Sequence, residues 1–259
     1  MIVFKTISAK RLIACTGILC AMLAVGGVLM QPVRTALTVS TQRDLPIYCV
    51  DAEKKVCSLT FDAAWGNEDT GQLIEILGEH NIQATFFVVG EWAEKYPESV
   101  KQLSDAGHEV MNHSSTHPHM PQLSAEQMIS EVKQCNEKIK AITGKEPTLF
   151  RCPFGDYDDA VVGTMRSIGM YTIQWDVDSL DWKDPPASDI VKRVVSKAQP
   201  GSIILFHNAA TNTPEALPAV IDGLIEKGFS FVPVSQLIMT ENYKIDHTGK
   251  QIAADDAAQ

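Results

Sequence analysis

Residues 1–34 contain no Asp or Glu, and the rest of the chain is short of positive charge. With Lys5, Lys10, Arg11 and Arg34 set aside, 18 basic groups face 32 acidic ones, a net of −14. Phosphate binding needs clustered Lys and Arg, so nucleic acid is not an expected partner. No glycine-rich fingerprint follows the first long strand-like run, which argues against a dinucleotide site. No Gly-x-Ser-x-Gly occurs either, so a nucleophile elbow has no sequence basis. Internal repeats, low-complexity tracts and interdomain linkers are all missing. Cysteine is sparse. Cys15 and Cys20 fall in an apolar run, and Cys49, Cys57, Cys135 and Cys152 are not spaced as a zinc knuckle.

What is present begins with that apolar run. Leu12 to Met30 is 19 residues without a charge, preceded by Lys5, Lys10 and Arg11. As a helix it would be about 28 Å long, near the hydrocarbon thickness of a bilayer. The basic flank predicts a single-pass cell-membrane anchor, its N-terminus cytoplasmic and everything after Arg34 outside. The rival is a signal peptide cleaved near Ala24-Val25-Gly26, which would leave a secreted protein. The expected organisation is a cytoplasmic tip and anchor over 1–34, a juxtamembrane stalk over 35–45, one α/β domain over 46–240 and a frayed acidic tail over 241–259.

Within that domain strand and helix signals alternate. Strand-like runs are 56–61, 84–89, 109–111, 148–150, 170–177, 202–206 and 229–232. Helical patterns lie near 70–80, 97–106, 124–142, 158–168, 187–198 and 214–227. Ser124 with Gln127 makes a capping box, and Gly144, Gly169 and Gly228 sit where helices should stop. Alternation of this kind implies a parallel sheet with right-handed crossovers, open or closed into an incomplete barrel. Residues 46–50 and 56–61 read as a hairpin that would set Cys49 opposite Cys57, as a disulfide or as two buried free thiols.

In a barrel, catalytic groups collect at the C-terminal ends of the strands. Five of the seven ends here are polar. The first long run stops at Asp62, the third at His113-Ser114-Ser115-Thr116-His117, the fourth at Arg151-Cys152-Pro153-Phe154-Gly155. The fifth stops at Asp176-Val177-Asp178-Ser179-Leu180-Asp181-Trp182 and the sixth at Leu205-Phe206-His207-Asn208. Two imidazoles four apart can hold a metal that polarises a carbonyl and acidifies bound water. Asp62 can take the proton of that water and His207 can protonate the leaving group. Arg151 would keep Asp62 ionised, and a carboxylate near His207, most simply Asp178, would orient its ring. The set describes metal-assisted hydrolysis of an amide or ester.

Thr60-Phe61-Asp62, His113-(x)3-His117, Arg151-x-Pro153, Asp178-Ser179-Leu180-Asp181-Trp182 and Leu205-x-His207 resemble the five ordered motifs of the polysaccharide deacetylase family (NodB homology, carbohydrate esterase family 4). The likeness covers about residues 55–238, and the Ala63-Ala64-Trp65-Gly66-Asn67 continuation after Asp62, with a single N-terminal membrane segment, looks closest to the sporulation-associated branch of Gram-positive bacteria. It implies a distorted (β/α)7-8 barrel that removes N-acetyl groups from GlcNAc or MurNAc of peptidoglycan or a related glycan polymer. It further implies Asp62 as base, His207 as acid, His113 and His117 as ligands, Arg151 behind Asp62 and Asp178 behind His207. The Phe154 amide would help bind the oxyanion, and Trp182 and Leu205 would wall the acetyl pocket.

One position departs from the family. It usually reads Thr-Phe-Asp-Asp, the second Asp being the third metal ligand, and Ala63 stands there in this chain. Two neutral imidazoles should hold Zn²⁺, or Co²⁺ or Mn²⁺, only weakly, unless Asn67, Glu68 or Asp69 supplies an oxygen. Cys152 replaces the commoner Pro. Two readings result: a membrane-anchored deacetylase, or a non-catalytic glycan-binding or structural protein that keeps the barrel.

Overall fold

The computed structural model describes residues 43–254. Its elements are, in order, β1 (Cys49–Val50), β2 (Val56–Ala63), α1 (Thr70–Glu79), β3 (Thr85–Val88), α2 (Gly90–Lys95), α3 (Pro97–Asp105) and β4 (Glu109–Asn112). Then come α4 (Ala125–Thr143), β5 (Leu149–Phe150), α5 (Asp159–Ser167), β6 (Tyr171–Thr172), β7 (Val177–Asp178), α6 (Ala187–Lys197), β8 (Ile203–His207) and α7 (Thr213–Glu226). The chain ends in β9 (Ser230–Phe231), α8 (Val234–Leu237), β10 (Tyr243–Ile245) and β11 (Lys250–Ala253).

The main sheet is parallel, in the order β6-β5-β4-β3-β2-β8-β7, with β9 beside β2. Its two edge strands are consecutive in the chain. Flat, they would lie about 29 Å apart at normal strand spacing. The five-residue step from Thr172 to Val177 reaches at most about 18 Å. The sheet therefore curls into a half-barrel, and residues 173–176 cross its open side. This is where the reading of residues 170–177 as one strand fails: the run is split into β6 and β7, on opposite edges.

Alternation along β2 sorts the two faces. Cys57, Leu59, Phe61 and Ala63 join Leu73 and Leu77 of α1 and Leu217, Val220 and Ile221 of α7 in the core between sheet and outer helices. Asp62 faces the other way, with a register that pairs it with His207 on β8 and Phe87 on β3. On that inner face Phe87, Leu149, Ile173 and Ile203 pack with Val234 and Leu237 as an apolar cluster. The capping box of α4 forms, with Ser124 Oγ accepting from Gln127 N, and Gly144 closes the helix at φ 72°.

Two other expectations are corrected. β1 does not pair with β2: it lies parallel to β11, while Ile47 and Cys49 bridge to Ile173 and Ser202. Cys49 and Cys57 are both free, Cys57 buried as expected and Cys49 partly exposed. At Gly201 (φ +82°) a Cβ would collide with the Val50 carbonyl oxygen, so only glycine lets β1 pass there. The tail, expected to fray, instead folds as the β10–β11 hairpin against β1. Gln251 anchors it, fully buried, donating to Met239 O (2.7 Å) and accepting from Met239 N (2.8 Å). The run Leu12–Met30 and the stalk residues 35–42 lie outside the described residues. Among those described, no helix is long and apolar enough to cross a membrane.

Candidate active site

Asp62 is brought to the inner face by the alternation of β2 and is almost wholly buried. Arg151, fully buried one residue past β5, donates from Nη1 to Asp62 Oδ1 at 2.7 Å and from Nη2 to Gln174 O at 3.1 Å. The guanidinium lies over the Phe87 ring at 4.1 Å. Burial opposes ionisation of Asp62, but Arg151, aided by His113 and His207, holds its carboxyl below the usual range.

His113 follows β4. Its Nδ1 donates to the Arg151 carbonyl at 2.8 Å, which leaves Nε2 with its lone pair, 3.5 Å from Asp62 Oδ2. The ring centroids of His113 and His117 are 4.9 Å apart. Burial lowers both imidazoles, His117 to about 4, so both are neutral donors at ordinary pH. Their loop is tied to α4, since Glu131 accepts from Ser115 N (2.9 Å), Thr116 N (2.8 Å) and Thr116 Oγ1 (3.0 Å). An imidazole oriented by a carbonyl behind it suits a metal ligand. His113 and His117 thus fit a divalent ion as two of its ligands. Among the described residues no group of three or more His, Cys, Asp or Glu could hold one.

The proposed third ligands do not reach the cavity. Glu68 accepts from Asn67 N at 2.9 Å, and Asp69 Oδ2 accepts from Ala209 N at 2.8 Å. Asn67 Nδ2 donates to Ser99 Oγ at 3.0 Å. Ala63 faces the helix-side core, while Ala64 lines the cavity. Cys152 is turned outward too, into a cluster with Met120, Met128, Val161 and Met165.

His207 ends β8, and its partner is Asp181, not Asp178. His207 Nδ1 donates to Asp181 Oδ1 at 2.8 Å, while Asp181 Oδ2 accepts from His207 N (2.8 Å) and Thr213 Oγ1 (2.7 Å). Asp178 Oδ1 instead caps the turn by accepting from Leu180 N at 2.8 Å. The cause is the reversal at Leu180, whose φ of 59° swings the next residue back under β8. Sequence spacing carries no mark of that left-handed residue, because Leu seldom adopts it. Burial alone would lower His207, but its bond to Asp181 and the charges of Asp181, Asp62 and Asp178 raise it above the ordinary imidazole value.

These groups open on a cavity of about 450 Å³ lined by Asp62, His113, His117 and His207, with Asp178, Phe154, Trp182 and Leu205 around them. Trp65, Trp175, Ala64 and Gly155 complete it, none of them assigned from sequence. At Gly155 (φ +66°) a Cβ would press within 2.8 Å of the Trp175 ring. Ser114, His117, Phe154 and Ala209 also have positive φ, and all lie in strand-end loops. Such conformations cost about 1–2 kcal/mol each and concentrate at functional sites. A larger cleft of about 580 Å³ between Arg43, Arg166 and Tyr243 contains no acid–base pair, and its Arg166 is paired with Asp44 at 3.1 Å.

A buried carboxylate and a partly buried imidazole on adjacent strands, beside a pair of neutral imidazoles, form a candidate hydrolytic site at the mouth of a parallel half-barrel. Residues 50–173 match the family model described as polysaccharide deacetylase. The chain is 36% identical over 188 residues to the Bacillus subtilis peptidoglycan-N-acetylmuramic acid deacetylase PdaC, covering 73% of this chain and 40% of that one. It is 30% identical to PdaA of the same organism and function, covering 76% of this chain and 77% of that one. Two Bacillus subtilis relatives are matched over only 60% and 40% of their own length. Among solved structures, a family 4 carbohydrate esterase pseudoenzyme from Bacillus anthracis is similar at a TM-score of 0.72 and 38% identity, covering 74% of this chain and 68% of that one. A mutant of that pseudoenzyme, described as having restored enzymatic activity, matches at 39% identity. The chain belongs to the polysaccharide deacetylase family.

Proposed function

We propose that the protein hydrolyses N-acetyl groups of cell-wall glycan, GlcNAc or MurNAc of peptidoglycan or a related polymer, from an extracytoplasmic position tethered by Leu12–Met30. The observation that supports this most is that Asp62 and His207 are direct register partners on adjacent strands, each with its own buried counter-charge, Arg151 or Asp181. Asp62 takes a proton from water as the oxygen attacks the acetyl carbonyl carbon. His207 then protonates the nitrogen as the C–N bond breaks, releasing acetate and a free amine. Phe154, Trp182 and Leu205 line the cavity; the Phe154 amide would meet the developing oxyanion, and Trp182 and Leu205 would wall the methyl. A divalent cation held by His113 and His117 would polarise the carbonyl.

A second reading, a glycan-binding protein without turnover, draws support from Ala63 and from the similarity to a pseudoenzyme. A cleft that only bound glycan would need neither an ionised Asp62 nor a protonated His207, so the hydrolytic reading stands first. The deciding experiment incubates the protein with N-acetylated glycan oligomers, with and without added Zn²⁺, Co²⁺ or Mn²⁺, and measures acetate. Release that falls by about 10²–10⁴-fold in Asp62→Asn and in His207→Ala is expected. No release from the wild type under any metal would leave the binding reading.

A further inference from the structure

Among the described residues four large apolar side chains are well exposed: Trp65 (56%), Phe154 (59%), Trp182 (52%) and Ile225 (48%). Three of the four rim the cavity over Asp62. Phe154 and Trp182 follow from the family motifs. Trp65 does not.

The Trp65 loop is rigid although its side chain is bare. Trp92 Nε1 donates to the carbonyls of Trp65 and Gly66, each at 2.6 Å. Asn208 Nδ2 donates to the same two carbonyls at 2.8 and 2.6 Å, and Asn208 Oδ1 accepts from Ala64 N at 3.2 Å. Trp92 and Asn208 are both buried, so the backbone of residues 64–66 is clamped from two sides. The indole it presents lies edge-on to His117, with centroids 6.0 Å apart, and tilted against His207 at 6.5 Å. A half-bare tryptophan held on a clamped loop is a preformed contact surface, since more than half of its surface is left to solvent.

We infer that Trp65 is a substrate-binding residue: its indole is the stacking platform for a pyranose ring of an N-acetylhexosamine oligomer whose acetyl group enters the cavity. This rests on the function proposed above. A pyranose offers an apolar C–H face that matches an indole, with hydroxyls left to the solvent. Asn208, which directly follows His207, ties the Trp65 loop to the end of β8. Small movements of the β8 end would shift the loop and His207 together.

The test measures binding, which needs no turnover. The full-length chain in detergent is titrated with a β-1,4-linked GlcNAc tetramer and with glycan strands of alternating GlcNAc and MurNAc. Trp65→Ala and Trp65→Leu should each weaken binding at least tenfold, while Trp65→Phe stays within about threefold of wild type. Leu keeps apolar bulk and Phe keeps an aromatic face, so rescue by Phe alone separates stacking from simple packing. In protein labelled with 5-fluorotryptophan, the Trp65 fluorine signal, assigned by its loss in Trp65→Phe, should shift on titration. Equal affinity of Trp65→Ala and wild type, or equal loss in all three variants, overturns the inference and leaves the proposed function standing. Failure of the wild type to bind either glycan overturns the proposed function, and the platform with it.

Discussion

Asp181 and Asp178 are three residues apart, yet only Asp181 touches His207. Asp181→Asn would keep the shape and remove the charge. Burial would then weigh more, and the pKa of His207 would fall. The proposed hydrolysis needs His207 protonated and Asp62 ionised. The alkaline limb of kcat/KM is therefore expected above the ordinary imidazole pKa, since His207 is raised, and the acid limb below the usual carboxylate range, since Asp62 is lowered. In Asp181→Asn the alkaline limb should move to lower pH, and kcat should drop about 10²–10⁴-fold. Asp178→Asn should move that limb far less. A pH–rate profile of both variants checks the assignment, and a larger effect from Asp178 would reverse it.

Ala63 is the other residue whose meaning the fold changes. The position that carries the second Asp in the family faces the apolar core here, not the cavity. Ala63→Asp is therefore expected to destabilise the metal-free protein by about 1–3 kcal/mol, the cost of burying a polar group without a partner. If the strand end rotates enough to bring the carboxylate beside His113 and His117, Zn²⁺ would recover that loss by binding only the folded state. Thermal melts with and without Zn²⁺ should show a larger metal-induced rise in Tm for Ala63→Asp than for the wild type. An equal rise would mean that the carboxylate stays in the core.

At the scale of elements, the histidine loop depends on a helix remote in sequence. Glu131, in the second turn of α4, satisfies two backbone N–H groups and one hydroxyl of residues 115–116. Nothing about Glu131 in the sequence distinguishes it from the other charged positions of an amphipathic helix. Glu131→Ala should leave α4 intact, because its capping box is elsewhere. It should free the loop and lower turnover about tenfold or more, as misplacement near reacting groups commonly does. The checks are circular dichroism beside the rate, and an unchanged rate would show that the loop holds its form without α4. Helices were the more legible elements. Apolar periodicity, Ser124-x-x-Gln127 and Gly144 placed α4 within a residue of its observed ends. α2, only six residues long, had too few turns for a periodic signal.

For the whole molecule, the C-terminal hairpin is the feature least expected from composition. β11 is the parallel partner of β1, and β1 in turn bridges Ile173 and Ser202. Ending the chain at Asn242 would strip β1 of that partner and leave Ile47 and Val50 less covered. A fragment spanning residues 35–259 is expected to be soluble and cooperatively folded. One spanning 35–242 should be less stable by at least about 2 kcal/mol, given the buried side chains and ladder bonds lost. Chemical denaturation of the two compares them directly, and equal midpoints would restore the view of residues 241–259 as a loose tail.

Local patterning determined much of this protein by itself. Strands and helices alternate at the expected places, because period-two and period-3.6 apolar patterns are local properties of the chain. The five polar strand ends were legible for the same reason: each lies where an apolar run stops. Asp62, Arg151, His113, His117 and His207 converge because a parallel sheet puts all its C-terminal strand ends on one edge. Tertiary structure alone decided which carboxylate serves His207, since that turns on one left-handed residue at Leu180. It also decided that Cys152 and Ala63 face away from the cavity, that residues 170–177 split across two sheet edges, and that the tail completes a second sheet. Each of these is set by contacts between residues far apart in the chain, and local periodicity contains no record of such contacts.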